Sequence, residues 1–353
     1  ARQASSPSPP RPPVRDTRRL RLALLACVVP WLMLAELDRE LAGVGASGAA
    51  LRVLADLFVA AIATVDLARR VPRHPRTTAI VLLAGAARFL LFVSKSCGHA
   101  HVILYAAMLV SLLGGVVILA FVPSPARLPT VAPRPTSTTI ASAVAVAAGL
   151  PLVLLAAEWA SIGLGVRALV FASYGILPSL VELVVERAPK RRFAPALRTL
   201  YAIAIGLALT LGLTSGARYT LDAGVYATRC ADPAAFESSG ARRALEQQTL
   251  EVTRSLKRDR ESLALFVLNI LVVPLVEERV YRGLLQRVLV ARWGTTKGIA
   301  LAALFFGVAH LGVYRYAAYQ TVLLGVSFGA AYSDAGLVAS TALHALWNLY
   351  ILS

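Results

Sequence analysis

Acidic residues are scarce in this chain. There are 19 Asp and Glu against 36 Lys and Arg, and all charged residues together make up 16% of 353 positions. A soluble protein of this length needs polar faces along most of its helices, and so few charges do not supply them. Cysteine is also rare. Cys27, Cys97 and Cys230 are scattered and odd in number, which excludes a disulfide framework. Cys27 lies in an apolar run and reads as a small buried hydrophobe. A zinc-protease H-E-x-x-H helix is absent, and no internal repeat emerges. The net charge of +17 invites a nucleic-acid partner, but no basic domain exists to carry one. No nucleic-acid binding is expected.

What is present is apolar length. Hydrophobic residues make up 57% of the chain, and the mean hydropathy is +0.67. VILYAAMLVSLLGGVVILAFV at 102–122 is uncharged and long enough to cross ~30 Å of hydrocarbon. Counting similar stretches gives roughly ten or eleven candidate spans. Backbone groups in lipid must be satisfied internally, so these spans are expected to be helices. The expected fold is therefore all-α, a polytopic integral membrane bundle. The bases sit in short loops, at Arg2–Arg19, at Arg69, Arg70, Arg73 and Arg76, at Arg127 and Arg134, and at Arg187–Arg198. That alternation follows the positive-inside pattern, with a cytoplasmic N-terminus.

Residues 1–20, with PSPPRPP, read as a disordered basic Pro-rich tail; no small-residue cleavage site follows the first apolar run, unlike a signal peptide. Residues 21–215 read as an N-terminal helical membrane region without a dense chemical motif, interrupted by Pro-rich and basic linkers at 123–139 and 186–195. Residues 216–262 form a polar loop or helix, and 263–353 a C-terminal bundle with spans near 263–290, 298–313, 316–332 and 336–352. The composition suits a bacterial inner-membrane protein.

The unusual chemistry lies in that last region. VEERVYRG (276–283) places Glu277, Glu278, Arg279 and Arg282 between FVLNILVVPL and LLQRVLV. An ionised group near a bilayer centre costs at least a few kcal/mol unless it is paired or faces a wet cavity. Glu278 and Arg282 are one helical turn apart and can pair. Glu277 is rotated about 100° from Glu278 and points elsewhere. Pro274, one turn earlier, removes a backbone donor and should release a carbonyl. Taken alone, the stretch could equally be a helix end with snorkelling charges. His310 in LFFGVAHLG, and His344 with Asn348 four apart in STALHALWNLY, could each be interhelical polar glue. Depth favours another reading. Glu277 lies thirteen residues before Val290 and His310 thirteen after Lys297, so both are roughly 20 Å in along their helices. A carboxylate, two imidazoles and a carboxamide at one depth point to a site around water.

The motifs E-E-x-x-x-R at Glu277, Glu278 and Arg282, F-x-x-x-H at Phe306 and His310, and H-x-x-x-N at His344 and Asn348 occur in order. In this the last ninety or so residues resemble the CPBP superfamily of intramembrane proteases, which includes the CAAX prenyl endopeptidase and bacteriocin-processing or immunity proteins. The resemblance implies peptide-bond hydrolysis within the membrane, on a membrane-embedded or membrane-tethered protein or peptide. It implies that Glu277 and His310 activate water and that His344 and Asn348 stabilise the oxyanion. Glu278 and Arg282 would brace the site, with Phe306 as its wall. A carboxylate withdrawn from water is a stronger base, and fixed donors in a dry site stabilise an oxyanion. No cofactor is expected; the alternative is zinc on Glu277, His310 and His344. Rival functions are a non-hydrolytic immunity or scaffold protein of the same fold, and an ion-coupled transporter, for which two similar halves would be expected.

Other polar groups carry plainer readings. Cys97, His99 and His101 share a short loop but lack a fourth metal ligand. Asp56, Asp66, Arg88 and Glu182 are expected to pair between helices or sit at helix ends. Trp159, Trp293 and Trp347 read as interface anchors or packing.

Overall fold

The computed structural model describes residues 54–61, 81–88, 90, 113, 135–160, 163–181, 194–232, 234, 267–311 and 318–352. The Pro-rich tail, the 102–122 span apart from Leu113, most of both linkers, Cys27, Asp66, the Cys97–His99–His101 loop and Glu182 lie outside them, as does the side chain of Trp159.

Within the described residues every regular element is helical. Helix α1 is Ser137–Trp159, α2 Leu164–Tyr174, α3 Leu177–Val181 and α4 Ala196–Ala231. Helix α5 comprises four segments in unbroken succession: π-helical Leu268–Val272, α-helical Val273–Glu278, π-helical Arg279–Gln286 and α-helical Arg287–Trp293. Then come α6 (Thr295–Ala309), α7 (Ala318–Ala335) and α8 (Leu337–Leu352). Segments 54–61 and 81–88 are also helical. Helix α4 continues to Ala231, well into the stretch read as polar loop or helix.

One helix among the described residues, Ala196–Ala217, is long and apolar enough to cross a membrane. Ser137–Val153, Ala168–Val181 and Thr295–Ala309 are apolar but shorter. The expected ten or eleven spans are thus not reached in the described part. Several of the expected spans, 102–122 among them, fall outside the described residues; within them, α5 carries Glu277, Glu278, Arg279, Arg282, Arg287 and Arg292, and α8 has 16 residues.

Two glycines in the left-handed region punctuate the C-terminal bundle. Gly294 (φ 84°) turns α5 into α6, and Gly336 (φ 83°) turns α7 into α8. A side chain at either would clash with its own backbone, which is why glycine closes helices in this way. Helix α7 packs against α4, α6 and α8, while α5 lies against α1, α6 and α8. Close approach is built in where α6 meets α7. A Cβ on Gly325 would come within 2.8 Å of Ala303 Cα.

Polarity is turned inward. Glu277, Glu278, Arg282, Gln286, Ser327, Ser340 and His344 are buried, whereas Leu271, Leu275, Leu304, Val308, Leu311 and Val338 are half or more exposed. In water the charges would cost several kcal/mol each to bury, and the leucines would gain nothing by facing solvent. A lipid surround rewards the apolar exterior, and the charges then need internal partners.

Candidate active site

Helix α5 supplies two carboxylates with different partners. Glu278 Oε2 lies 3.3 Å from Arg282 Nε, both side chains fully buried. Its Oε1 accepts a hydrogen bond from His344 Nδ1 at 3.0 Å. Glu277 instead stands between the imidazoles of two other helices. His310 Nε2 on α6 is 3.9 Å from its Oε1, and His344 Nε2 on α8 is 3.8 Å from its Oε2. The adjacent glutamates point differently, as expected, and Glu278 is the one paired with arginine; Glu277 is buried between two imidazoles.

The tautomers follow from the partners. His310 Nδ1 lies 2.7 Å from the Phe306 carbonyl. A carbonyl only accepts, so Nδ1 carries the proton, and in the neutral ring Nε2 presents its lone pair to Glu277. The Glu278 carboxylate likewise fixes the proton of His344 on Nδ1. His310 can do this because it sits where α6 ends, four residues after Phe306, with its ring 4.6 Å from that of Phe306.

Aromatic rings enclose the charges. The Arg282 guanidinium sits 4.2 Å over Phe306 and 5.5 Å from Phe328. Phe328 stacks on His344 at 4.6 Å and 22°. Such faces favour a cation in a dry site and hold the planar groups in register. The guanidinium also reaches the Gly325 carbonyl at 3.4 Å, one turn before the Gly329 carbonyl that accepts from Gln286 Nε2 at 2.9 Å. Tyr281 is buried and donates to the Ala147 carbonyl of α1, and Arg279 donates to Ser179 of α3. The N-terminal region thereby grips the back of the carboxylate helix.

Asn348 lies one turn beyond His344 on α8, and its Nδ2 donates to the Asn269 carbonyl at 2.8 Å. Asn269 lies five residues before Pro274, the acceptor position of the π-helical register, and a side chain of another helix occupies its carbonyl. Phe328, Gln286, Tyr281 and Asn269 were not singled out by sequence. Gln286 had a signal, since it continues the i, i+4 row of Glu278 and Arg282. Phe328 had none.

Zinc ligands at ~2.0–2.1 Å in a tetrahedron lie roughly 3.3 Å apart. Glu277 is farther than that from either imidazole nitrogen, and no group of three or more His, Cys, Asp or Glu among the described residues is arranged to hold a metal ion. Of the remaining residues, Asp56 pairs with Arg88 between helices. Trp347 is buried and stacks on Tyr350, while Trp293 is exposed at the end of α5.

A helical bundle with apolar exterior and a buried carboxylate–imidazole cluster defines the class: a membrane-type fold with a polar internal site. Residues 259–350, about a quarter of the chain, match the family described as type II CAAX prenyl endopeptidase Rce1-like. This match supports the likeness to CPBP-family intramembrane proteases. No curated protein and no solved structure matches the chain.

Proposed function

We propose that the protein is an intramembrane endopeptidase that uses Glu277 and His310 to activate water. The observation that carries this reading is the 3.9 Å between Glu277 Oε1 and His310 Nε2. Both atoms are hydrogen-bond acceptors, too far apart to bond and well placed to share one water that donates to each. A water donating both protons turns its lone pairs outward, as a nucleophile must.

Attack on a peptide carbonyl forms the C–O bond as Glu277 takes a proton from the water. The carbonyl electrons move onto oxygen. The second N–H of Asn348 is a donor toward that oxyanion, and His344 Nε2 adds another only when the ring is the doubly protonated imidazolium. Collapse of the intermediate breaks the C–N bond, and Glu277 returns its proton to the leaving amine. Glu278 and Arg282 cancel one another's charge, so the pair frames the site without taking the proton. No step needs a metal. Unchanged cleavage by metal-stripped protein, with no metal found by elemental analysis, is the expected outcome.

The substrate class follows from the setting. Peptides reaching a site on helices that expose leucines outward are membrane-embedded or membrane-tethered, such as a leader, a C-terminal sorting segment or a CAAX-like end. Placement in a bacterial inner membrane with the N-terminus in the cytoplasm fits the loop charges. The test compares protein termini in the membrane proteomes of cells carrying wild-type protein or Glu277→Gln. Termini lost only in the variant would name substrate and bond. Identical termini at equal protein levels would sink the protease reading and favour the scaffold.

A further inference from the structure

Asn348 could reach its place by its own helix alone, but its contact lies on α5, at a point governed by Pro274. Within the first π-helical turn, Val273 N–H donates to the Leu268 carbonyl five residues back. In the α-helical register the donor for the Asn269 carbonyl would be Val273, which is committed to Leu268. In the π-helical register the donor would be residue 274, and proline has no N–H. Neither backbone donor is directed to this oxygen, and Asn348 Nδ2 takes it at 2.8 Å.

We propose that Pro274 is a positioning residue: by withholding an N–H it reserves the Asn269 carbonyl for Asn348 and so sets the orientation of that carboxamide. One amide N–H of Asn348 is held by the carbonyl, which fixes the plane of the group and leaves the second N–H in a defined direction. Among the described residues the bridge is one hydrogen-bonded rung between α5 and α8, and His344 to Glu278 at 3.0 Å is another. Along the pair of helices the rungs run antiparallel, 269 with 348 and 278 with 344, so loosening one tilts the other. This role rests on the protease reading for its effect on cleavage, but not for the contact itself.

The experiment is a double-mutant cycle of Pro274→Ala and Asn348→Ala on the full chain, read in two ways. In purified protein in detergent, Asn348→Ala lowers the melting temperature, and the change caused by Pro274→Ala is more favourable by roughly 2 °C in the Asn348→Ala background than in the wild type, because the backbone N–H restored at position 274 supplies the carbonyl. Loss of the buried proline ring is common to both backgrounds and cancels in the cycle. In cells, the termini generated by the wild-type protein fall about tenfold with Pro274→Ala and about a hundredfold with Asn348→Ala. The double variant is no worse than Asn348→Ala. The two changes thus couple in stability while cleavage is not rescued, a split that a merely structural proline would not give. Additive effects on both melting and cleavage would overturn the proposal. Coupled melting without cleavage by the wild type would uphold the Pro274–Asn348 link and sink the protease reading instead.

Discussion

His344 lies between the two glutamates of α5: its Nδ1 donates to Glu278 at 3.0 Å, and its Nε2 lies 3.8 Å from Glu277. One ring therefore joins the carboxylate that is neutralised by Arg282 to the one that is not. Its tautomer is set by the first, and its other nitrogen faces the second. On the proposed mechanism the two neighbouring glutamates are divided between structure and chemistry, and the consequences of changing them should differ in kind.

Removing Glu278 leaves the Arg282 guanidinium buried without a carboxylate. Breaking a buried pair in this way costs about 3–5 kcal/mol, so Glu278→Ala should unfold at markedly lower denaturant or fail to accumulate. Replacing both members, Glu278→Met with Arg282→Leu, should recover much of that loss. Cleavage should stay absent in the double variant, since His344 has lost its acceptor. Equal stability of Glu278→Ala and wild type in detergent would count against the pairing.

Glu277 behaves oppositely. Its carboxylate makes no hydrogen bond to either imidazole at 3.8–3.9 Å, so Glu277→Gln removes charge from the interior without breaking a contact. The variant should melt no lower than wild type, while cleavage falls about 10²–10⁴-fold. Catalytic groups held against the preference of the fold often give this exchange of stability for activity. A variant that loses both in parallel would place Glu277 with the scaffold.

Much of this arrangement was legible before the fold was known. Counting thirteen residues inward placed Glu277 and His310 at one depth, and the helices bring them to 3.9 Å. The four C-terminal segments fall on helices α5–α8, with Gly294 and Gly336 at two of their turns, although none of the four is long and apolar enough by itself to count as a membrane span. What could not be read is what depends on neighbours distant in sequence. The stacking of Phe328 on His344 requires knowing that α7 passes behind α8. The hold of Asn348 on Asn269 depends on a π-helical register that local propensity does not announce. Pairing of Asp56 with Arg88 was expected only as one of two possibilities, because a single span gives no partner's identity.

Arg282→Lys preserves charge and should still fail. The guanidinium lies flat over Phe306 at 4.2 Å and reaches Glu278 and the Gly325 carbonyl at once. An ammonium is a point charge that cannot stack and reach all three. Cleavage should drop at least tenfold, with a melting temperature several degrees below wild type for a loss of about 1–2 kcal/mol. Full activity of the lysine variant would show that charge alone suffices.

Gly325 tests how tightly the site depends on helix packing rather than on its own side chains. A Cβ there would lie 2.8 Å from Ala303 Cα and 2.9 Å from its Cβ, below any real contact, so Gly325→Ala must push α7 away from α6. Overpacking of this sort costs about 1–3 kcal/mol. Because the Gly325 carbonyl also accepts from Arg282, the shift should lower cleavage as well as stability, although residue 325 bears no chemistry. Ala303→Gly in the same chain removes one of the two clashes and should recover part of both losses. Recovery of stability without recovery of cleavage would mean that the carbonyl of α7 does not steer Arg282.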